Sequence, residues 1–370
     1  MPLLAFLPLR QNLTKPLSTA GTRTLLLALA AALGGAALSG CQKTAPEEIF
    51  LQTLNNQVIE PNYHQLVESS QAVESATASC SEESMAEFLP AAQSSWREAM
   101  MAWQRAKVIG FGPMTEQRLD WEFQFWPDKK NLVAKKAKTL LKKETPLTAE
   151  ELNHSSVVLH GLSALEYLLF DPTAQTGFAT GRYCELTRWI GQQMVVSSKA
   201  LDSSWALVKP EFVAPNAESE NFESATQAIG MVLDDYLLSL QSISKDKILG
   251  ALGETGTANP YFLESWRAQH SWQNIEANIS AVNQLFQQGG FIAYLESLGL
   301  HELAGQLQQR LAALNEAAGK IEPPLFSSLD QQAEPLKQVA ATAKALRLLL
   351  QQDTTQVLKL PIGFNDSDGD

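Results

Sequence analysis

Histidine and cysteine are scarce in this chain, at five and three of 370 residues, so chemistry that needs clusters of imidazole or thiolate has little to draw on. No His-Glu-x-x-His occurs to put two imidazoles on one helix face for zinc. Also missing are a Gly-x-Ser-x-Gly nucleophile elbow and a Gly-rich phosphate loop. These absences exclude the usual zinc-hydrolase, serine-hydrolase and nucleotide-binding signatures. Period-two runs of β-branched residues between turn signals are nearly lacking, which argues against a sheet. Cationic charge is in deficit, with 28 Lys+Arg against 40 Asp+Glu and a net charge of −12. Affinity for nucleic acid comes largely from neutralised phosphates, so the charge disfavours nucleic acid and no such partner is expected.

Acidic residues are absent from the first 40 positions, which instead hold Arg10, Lys15 and Arg23 ahead of the apolar stretch Leu25–Leu33. That pattern is the basic and apolar part of a secretory signal, short for a membrane span. It ends in Leu38-Ser39-Gly40-Cys41, which matches a bacterial lipobox, so residues 1–40 are expected to be a lipoprotein signal peptide and Cys41 the lipidated residue. A simple cleaved signal or an uncleaved anchor is the alternative. More than one acyl chain on Cys41 suffices for stable membrane anchoring. Gln42 in place of aspartate favours the bacterial outer membrane, with the protein most simply facing the periplasm. Removing residues 1–40 takes away three of the 28 cationic residues and no acidic one, leaving a charge near −15. Two cysteines then remain, Cys80 and Cys184, and in an exported chain they are read as one disulfide.

What the chain does have is helical periodicity. Apolar residues recur at spacings of three and four in Phe50-Leu51-Leu54-Val58, in Trp96-Met100-Trp103, in Val157–Leu169 and in Leu233-Tyr236-Leu237-Leu240. The fold class is therefore all-α, and Val157–Leu169 reads as one long buried helix. Turn residues interrupt at Gly110–Pro113, Trp126–Asp128, Asp171–Thr173, Gly253–Pro260 and Glu322–Pro324. Thr148 and Glu151 form a helix-starting capping box. The length suits two helical bundles. The boundary is set in the Pro-containing, weakly periodic stretch 203–225, giving a linker at 41–48, bundles over 49–210 and 211–362, and an acidic tail at 363–370. That tail alternates Asp and Gly but lacks the spacing of a calcium loop. Lys135, Lys136, Lys138, Lys142 and Lys143 read as a solvated helix face.

The most specific segment is Gly161-Leu162-Ser163-Ala164-Leu165-Glu166, followed by Tyr167-Leu168-Leu169-Phe170. It resembles the Gly-x-His-x-x-Glu signature of the imelysin family, with Ser163 standing at the histidine position. The Gly110–Pro113 and Phe123–Asp128 stretches, Trp266–Asn278 and the C-terminal ending resemble further family segments, so the likeness runs along nearly all of the mature chain. It implies two similar helical bundles packed together, with the signature helix facing the groove between them. It also implies either a peptidase, as the family's founder is described, or a role in bacterial iron uptake.

Ser163 and Glu166 are i and i+3 on a helix and share a face. Two readings of them stand. In one, Glu166 contributes to a metal site that could hold iron, although serine is a weaker ligand than the histidine it replaces. In the other, Gly161 allows close packing, Ser163 bonds locally and Glu166 is a buried carboxylate paired to Arg118, Arg182 or Arg267. Trp126 either lines the pocket mouth or is simply core. Arg267 and Ser271, read as i and i+4 on one helix, would face the groove, with His270 on an adjacent strip either completing the polar pocket or, the favoured reading, serving as a structural histidine.

Hydrolysis would need a base at Ser163, and only His270 or His301 arriving from the second half could supply it. The leading expectation is thus a periplasm-facing lipoprotein that binds iron or an iron chelate in the groove through these residues. A peptidase-like hydrolase, or a non-catalytic protein docking an outer-membrane transporter, is the alternative.

Overall fold

The computed structural model describes residues 44–81, 84–142, 145–253 and 257–360, without the side chains of residues 179 and 180. The signal peptide, Cys41, Lys143 and the tail at 363–370 lie outside the described residues. Every regular element among the described residues is helical, as the periodicity predicts. We number the long helices α1 (Pro46–Leu54), α2 (Glu60–Ala78), α3 (Met85–Ala106), α4 (Gly161–Phe170), α5 (Arg182–Val213), α6 (Ala225–Gln241), α7 (Ser271–Phe286), α8 (His301–Ala318) and α9 (Ala333–Leu349). Shorter segments are named by their residues. None of the described helices is long and apolar enough to cross a membrane.

In the first bundle α2 lies between α3 and α5, and α4 packs on both α3 and α5. In the second, α9 packs against α6, α8 and the π-helical segment Ser242–Leu249. The halves interlock: α3 packs on α7, and α1 packs on α6 and on the Phe291–Ser297 helix of the second half. The described residues from Ala45 onward therefore form one compact unit. The apolar stripe of α3 supplies the contact surface, with Trp96, Met100 and Trp103 all buried at that three-and-four spacing.

Two expectations need correction. The boundary placed at 210/211 falls inside α5, which runs unbroken to Val213; the loop between halves is 214–224. Pro210 sits in the last turn of that helix. The Val157–Leu169 run is not one helix. It is a 3₁₀ turn at Val157–Leu159 and then α4, broken at His160, whose extended backbone (φ −99°, ψ 160°) precedes the helix.

The local readings that depend on short-range chemistry hold. Thr148 caps its helix by accepting from the Glu151 amide at 3.1 Å. Cys80 and Cys184 form a disulfide, closing a loop of 104 residues between the end of α2 and the start of α5. Such a cross-link is worth about 2–4 kcal/mol, mainly by restricting the unfolded chain.

Candidate functional site

The signature helix starts where it does because Gly161 alone fits there. Its φ is +61°, and a Cβ on it would stand 2.3 Å from the carbonyl oxygens of both Glu122 and Phe123. This close approach lays the 122–126 segment across the N-terminus of α4. Ser163 fixes the contact, donating to the Phe125 carbonyl at 3.0 Å and accepting from the Phe125 amide at 3.1 Å. From α3, Trp96 Nε1 donates to the Leu162 carbonyl at 2.8 Å. His160, just outside the helix, bonds Glu122 Oε2 at 2.6 Å and Ser155 Oγ at 3.2 Å.

One turn further on, Glu166 Oε1 accepts from the backbone amides of Arg267 at 2.9 Å and Ala268 at 3.2 Å. The expected arginine partner is thus a backbone partner. The Arg267 guanidinium goes elsewhere: Nε to Asp171 Oδ2 at 3.2 Å, Nη2 to Asn131 Oδ1 at 2.8 Å, and Cζ 4.2 Å from the Trp266 ring centroid. The other two candidates are not partners at all. Arg118 is exposed, in left-handed backbone at φ 55°, and Arg182 donates to the Thr145 and Leu140 carbonyls.

Ser163, Glu166, Trp126 and Arg267 come together on the wall of a cavity of about 670 Å³, in the size range of small-molecule sites. The turn Glu264–Gln269 closes the opposite side, with Ser265 and Gln269 held in left-handed backbone at φ 53° and 52°. His270 and Ser271 are not part of this wall. Because residues 264–269 form that turn, Arg267 precedes α7 and shares no helix face with Ser271. Both side chains are buried, His270 against the Trp96 ring with centroids 5.9 Å apart. Burial there, and then the nearby Arg97 charge, push the His270 pKa down to about 4. His301 is exposed at the start of α8. Ser163 thus has its hydroxyl committed to the Phe125 peptide, and no histidine bonds it among the described residues.

Beside the cavity lies a buried polar network that sequence reasoning missed. Lys247 Nζ donates to Glu264 Oε2 at 2.7 Å, Gln104 Oε1 at 2.8 Å and Asn278 Oδ1 at 2.6 Å. Glu264 also accepts from Gln104, Gln124 and Asn274 at 3.0, 2.9 and 3.0 Å. Burial disfavours the charge on Glu264, but the Lys247 ammonium outweighs it and holds the carboxyl well below its usual range. The signal that could have revealed it was a lysine on an apolar stripe, since Lys247 continues the three-and-four spacing from Leu240 through Ile243 and Ser244. Gln124 of this network also lines the cavity, and Gln124 and Trp126 both line a second cavity of about 320 Å³ as well.

Asp235 on α6 does for the second cavity what Glu166 does for the first. It reaches from the second half into the first, accepting from the amides of Gly110 at 2.6 Å and Phe111 at 3.2 Å. Each half therefore holds a loop of the other by one carboxylate on two consecutive amides.

Burial is the main influence on both carboxyls, raising Glu166 from 4.5 and Asp235 from 3.8 to about 7 against the pull of those amides. An acid with a raised folded pKa binds its proton more tightly when folded. Its contribution is then complete below the unfolded value and lost as pH rises to the folded one. For Glu166 that window is 4.5 to about 7, a loss on the order of 3 kcal/mol. We expect Glu166→Gln, which can still accept from both amides, to be near neutral at pH 4.5 and stabilising at pH 8. Urea midpoints across that range check this, and a variant that loses stability equally at both ends contradicts it.

The profile of the imelysin family matches residues 59–352. Iron-regulated protein A of Synechococcus elongatus is 22% identical over 326 residues, covering 84% of this chain and 85% of its own. Among solved structures, an imelysin-like protein from Psychrobacter arcticum superposes with a TM-score of 0.72 at 20% identity, over 86% of this chain and 97% of that one. A protein from Parabacteroides distasonis designated an iron-regulated protein A precursor superposes at 0.68 with 16% identity, over 83% and 93%. With the signature helix, the cavity it lines and a profile match over most of its length, the chain belongs to the imelysin family.

Proposed function

We propose that this protein binds an iron-bearing ligand in the cavity between the signature helix and the Glu264–Gln269 turn. The observation that carries the reading is the convergence of Ser163 and Glu166 from one half with Ser265, Trp266 and Arg267 from the other around that single cavity. Two relatives whose names describe them as iron-regulated support the iron link. Ser163 and Oε1 of Glu166 are already committed to backbone partners. Among the described residues no group of three or more His, Cys, Asp or Glu is placed to hold a metal. A ligand that brings its own chelating atoms therefore fits these residues better than a bare ion. Lipidation of Cys41 is part of the proposal; it would tether the cavity at the outer membrane, on the periplasmic side.

The test is equilibrium dialysis of the purified protein against ferric citrate and ferric nitrilotriacetate, with iron measured by mass spectrometry. Gly250→Trp is the blocking variant. Gly250 lines the cavity, and the nearest atom to a Cβ there is the Lys245 carbonyl oxygen at 3.4 Å, so the helix tolerates a side chain that fills the space. About one equivalent of iron held by the wild type and lost in Gly250→Trp supports the reading. No retained iron, or iron retained equally by the blocked variant, overturns it.

A further inference from the structure

We infer that the cavity recognises an anionic hydroxyaryl compound, whose ring packs on the aromatic wall, whose negative charge meets Lys129 and Lys245, and whose hydroxyl meets Glu166. This names the ligand class for the site proposed above and rests on that reading. Aryl rings bearing adjacent hydroxyl and carboxylate oxygens chelate ferric iron with loss of the hydroxyl proton, so the hydroxyl that meets Glu166 is that of the iron-free compound or a further ring hydroxyl outside the chelate.

Three groups of lining residues carry the inference. The first is aromatic: Phe125 and Trp126 from one half, and Tyr261, Phe262 and Trp266 from the other. Trp266 is held in place by Tyr261 and Phe326, with centroids 4.9 and 5.8 Å away. Tyr261 and Phe262 are 60% and 43% exposed, an unusual placement for two adjacent large rings unless something covers them. Rings lining a concave site favour a flat, apolar body.

The second group sets the sign of the ligand's charge. Lys129 and Lys245 line the cavity, are exposed, and form no ion pair among the described residues. Arg267 is different, being neutralised by Asp171 at 3.2 Å. Asp128, next to Lys129, is occupied with the amides of Leu132 and Val133 at 2.6 and 2.9 Å. Asp128 keeps its charge and Asp246 is a second lining carboxylate, so the charges are close to balanced, and it is the two ammonium groups without an ion-pair partner that an anionic group would meet. A neutral aliphatic ligand would use neither these ammonium groups nor the rings.

The third group is Glu166. Both backbone amides bond its Oε1, and no hydrogen bond reaches Oε2 among the described residues. When the carboxyl is ionised, this free oxygen at the cavity wall is an acceptor matched by a hydroxyl donor, and it leaves a cost if it meets only hydrocarbon.

The experiment is calorimetry on the purified full chain with salicylate, benzoate, acetohydroxamate and ferric citrate as probes. Salicylate should bind saturably and more tightly than benzoate, which lacks the hydroxyl, and than acetohydroxamate, which lacks the ring. The double variant Lys129→Met with Lys245→Met replaces two exposed side chains and leaves the fold intact by circular dichroism. It should weaken salicylate roughly tenfold, the scale of losing two exposed charge contacts. Acetohydroxamate binding as tightly as salicylate, or unchanged salicylate binding by the double variant, overturns the ligand class. Ferric citrate bound without any salicylate binding overturns the class while sparing the cavity as an iron-ligand site. Failure of every probe overturns both.

Discussion

Replacing Lys247 with methionine should cost about 3–5 kcal/mol of stability, because it leaves the Glu264 carboxylate buried without its counter-charge. The two side chains are 2% and 1% exposed, so water cannot take over the missing interaction. Lys107 offers only a longer contact to Glu264 at 3.7 Å. For a domain whose total stability is of order 5–15 kcal/mol, that is a large fraction. Substituting both partners, Lys247→Met with Glu264→Gln, removes the buried charge altogether and should recover much of the loss. Urea unfolding of the single and double variants tests this directly. If the double variant is as unstable as the sum of its single changes, the interaction is not the charge pairing described here. Because Gln124 joins this network and also lines the cavity, Lys247→Met should weaken ligand binding as well as folding.

Gly161→Ala should be nearly as damaging. An alanine there must hold left-handed backbone at about 1–2 kcal/mol. Its methyl would also collide with two backbone carbonyls at 2.3 Å, which overpacking data place at a further ~1–3 kcal/mol. The expected loss is therefore about 2–5 kcal/mol by urea unfolding. Gly305 supplies the control. It lies inside α8 with nothing within 4 Å of its would-be Cβ, so Gly305→Ala should stabilise by about 0.5–1 kcal/mol. Equal effects at the two positions would mean that the approach of residues 122–123 to α4 is not what Gly161 is for.

The contrast between these two sites shows what the sequence makes legible. Gly161, Ser163 and Glu166 could be picked out because a glycine and two polar residues interrupt an apolar run, and each has turned out to serve a backbone contact. The disulfide and the Thr148 cap were readable for a similar reason, since cysteine count and capping chemistry need only local or compositional information. Lys247 and Glu264 were not picked out. Lys247 follows the exposed charges Lys245 and Asp246 directly, and only the buried stripe of the π-helical segment distinguishes it from them. Arg267, His270 and Ser271 were read on one continuous helix, and the left-handed Ser265 and Gln269 that end that regularity carry no glycine to announce it. The exposed position of Arg118 likewise depends on its left-handed backbone before Leu119. Local chemistry was visible, whereas the path of irregular backbone was decided by tertiary contacts.

The reciprocal carboxylates connect these observations to function. Glu166 and Asp235 each reach across to consecutive amides in the other half, and each borders one of two cavities that share Gln124 and Trp126. Ligand in the first cavity would thus touch the same elements that hold the halves together. Binding of any ligand to the folded form stabilises it by mass action, so thermal stability should rise with ligand concentration.

Hydrogen–deuterium exchange with and without saturating ferric chelate tests the central claim most directly. The account predicts protection confined to residues 124–133 and 261–268, including the Arg267 and Ala268 amides that Glu166 holds, and no such change in Gly250→Trp. Protection centred elsewhere, or unchanged exchange at both segments while the chelate is bound, would contradict the assignment of this cavity as the binding site.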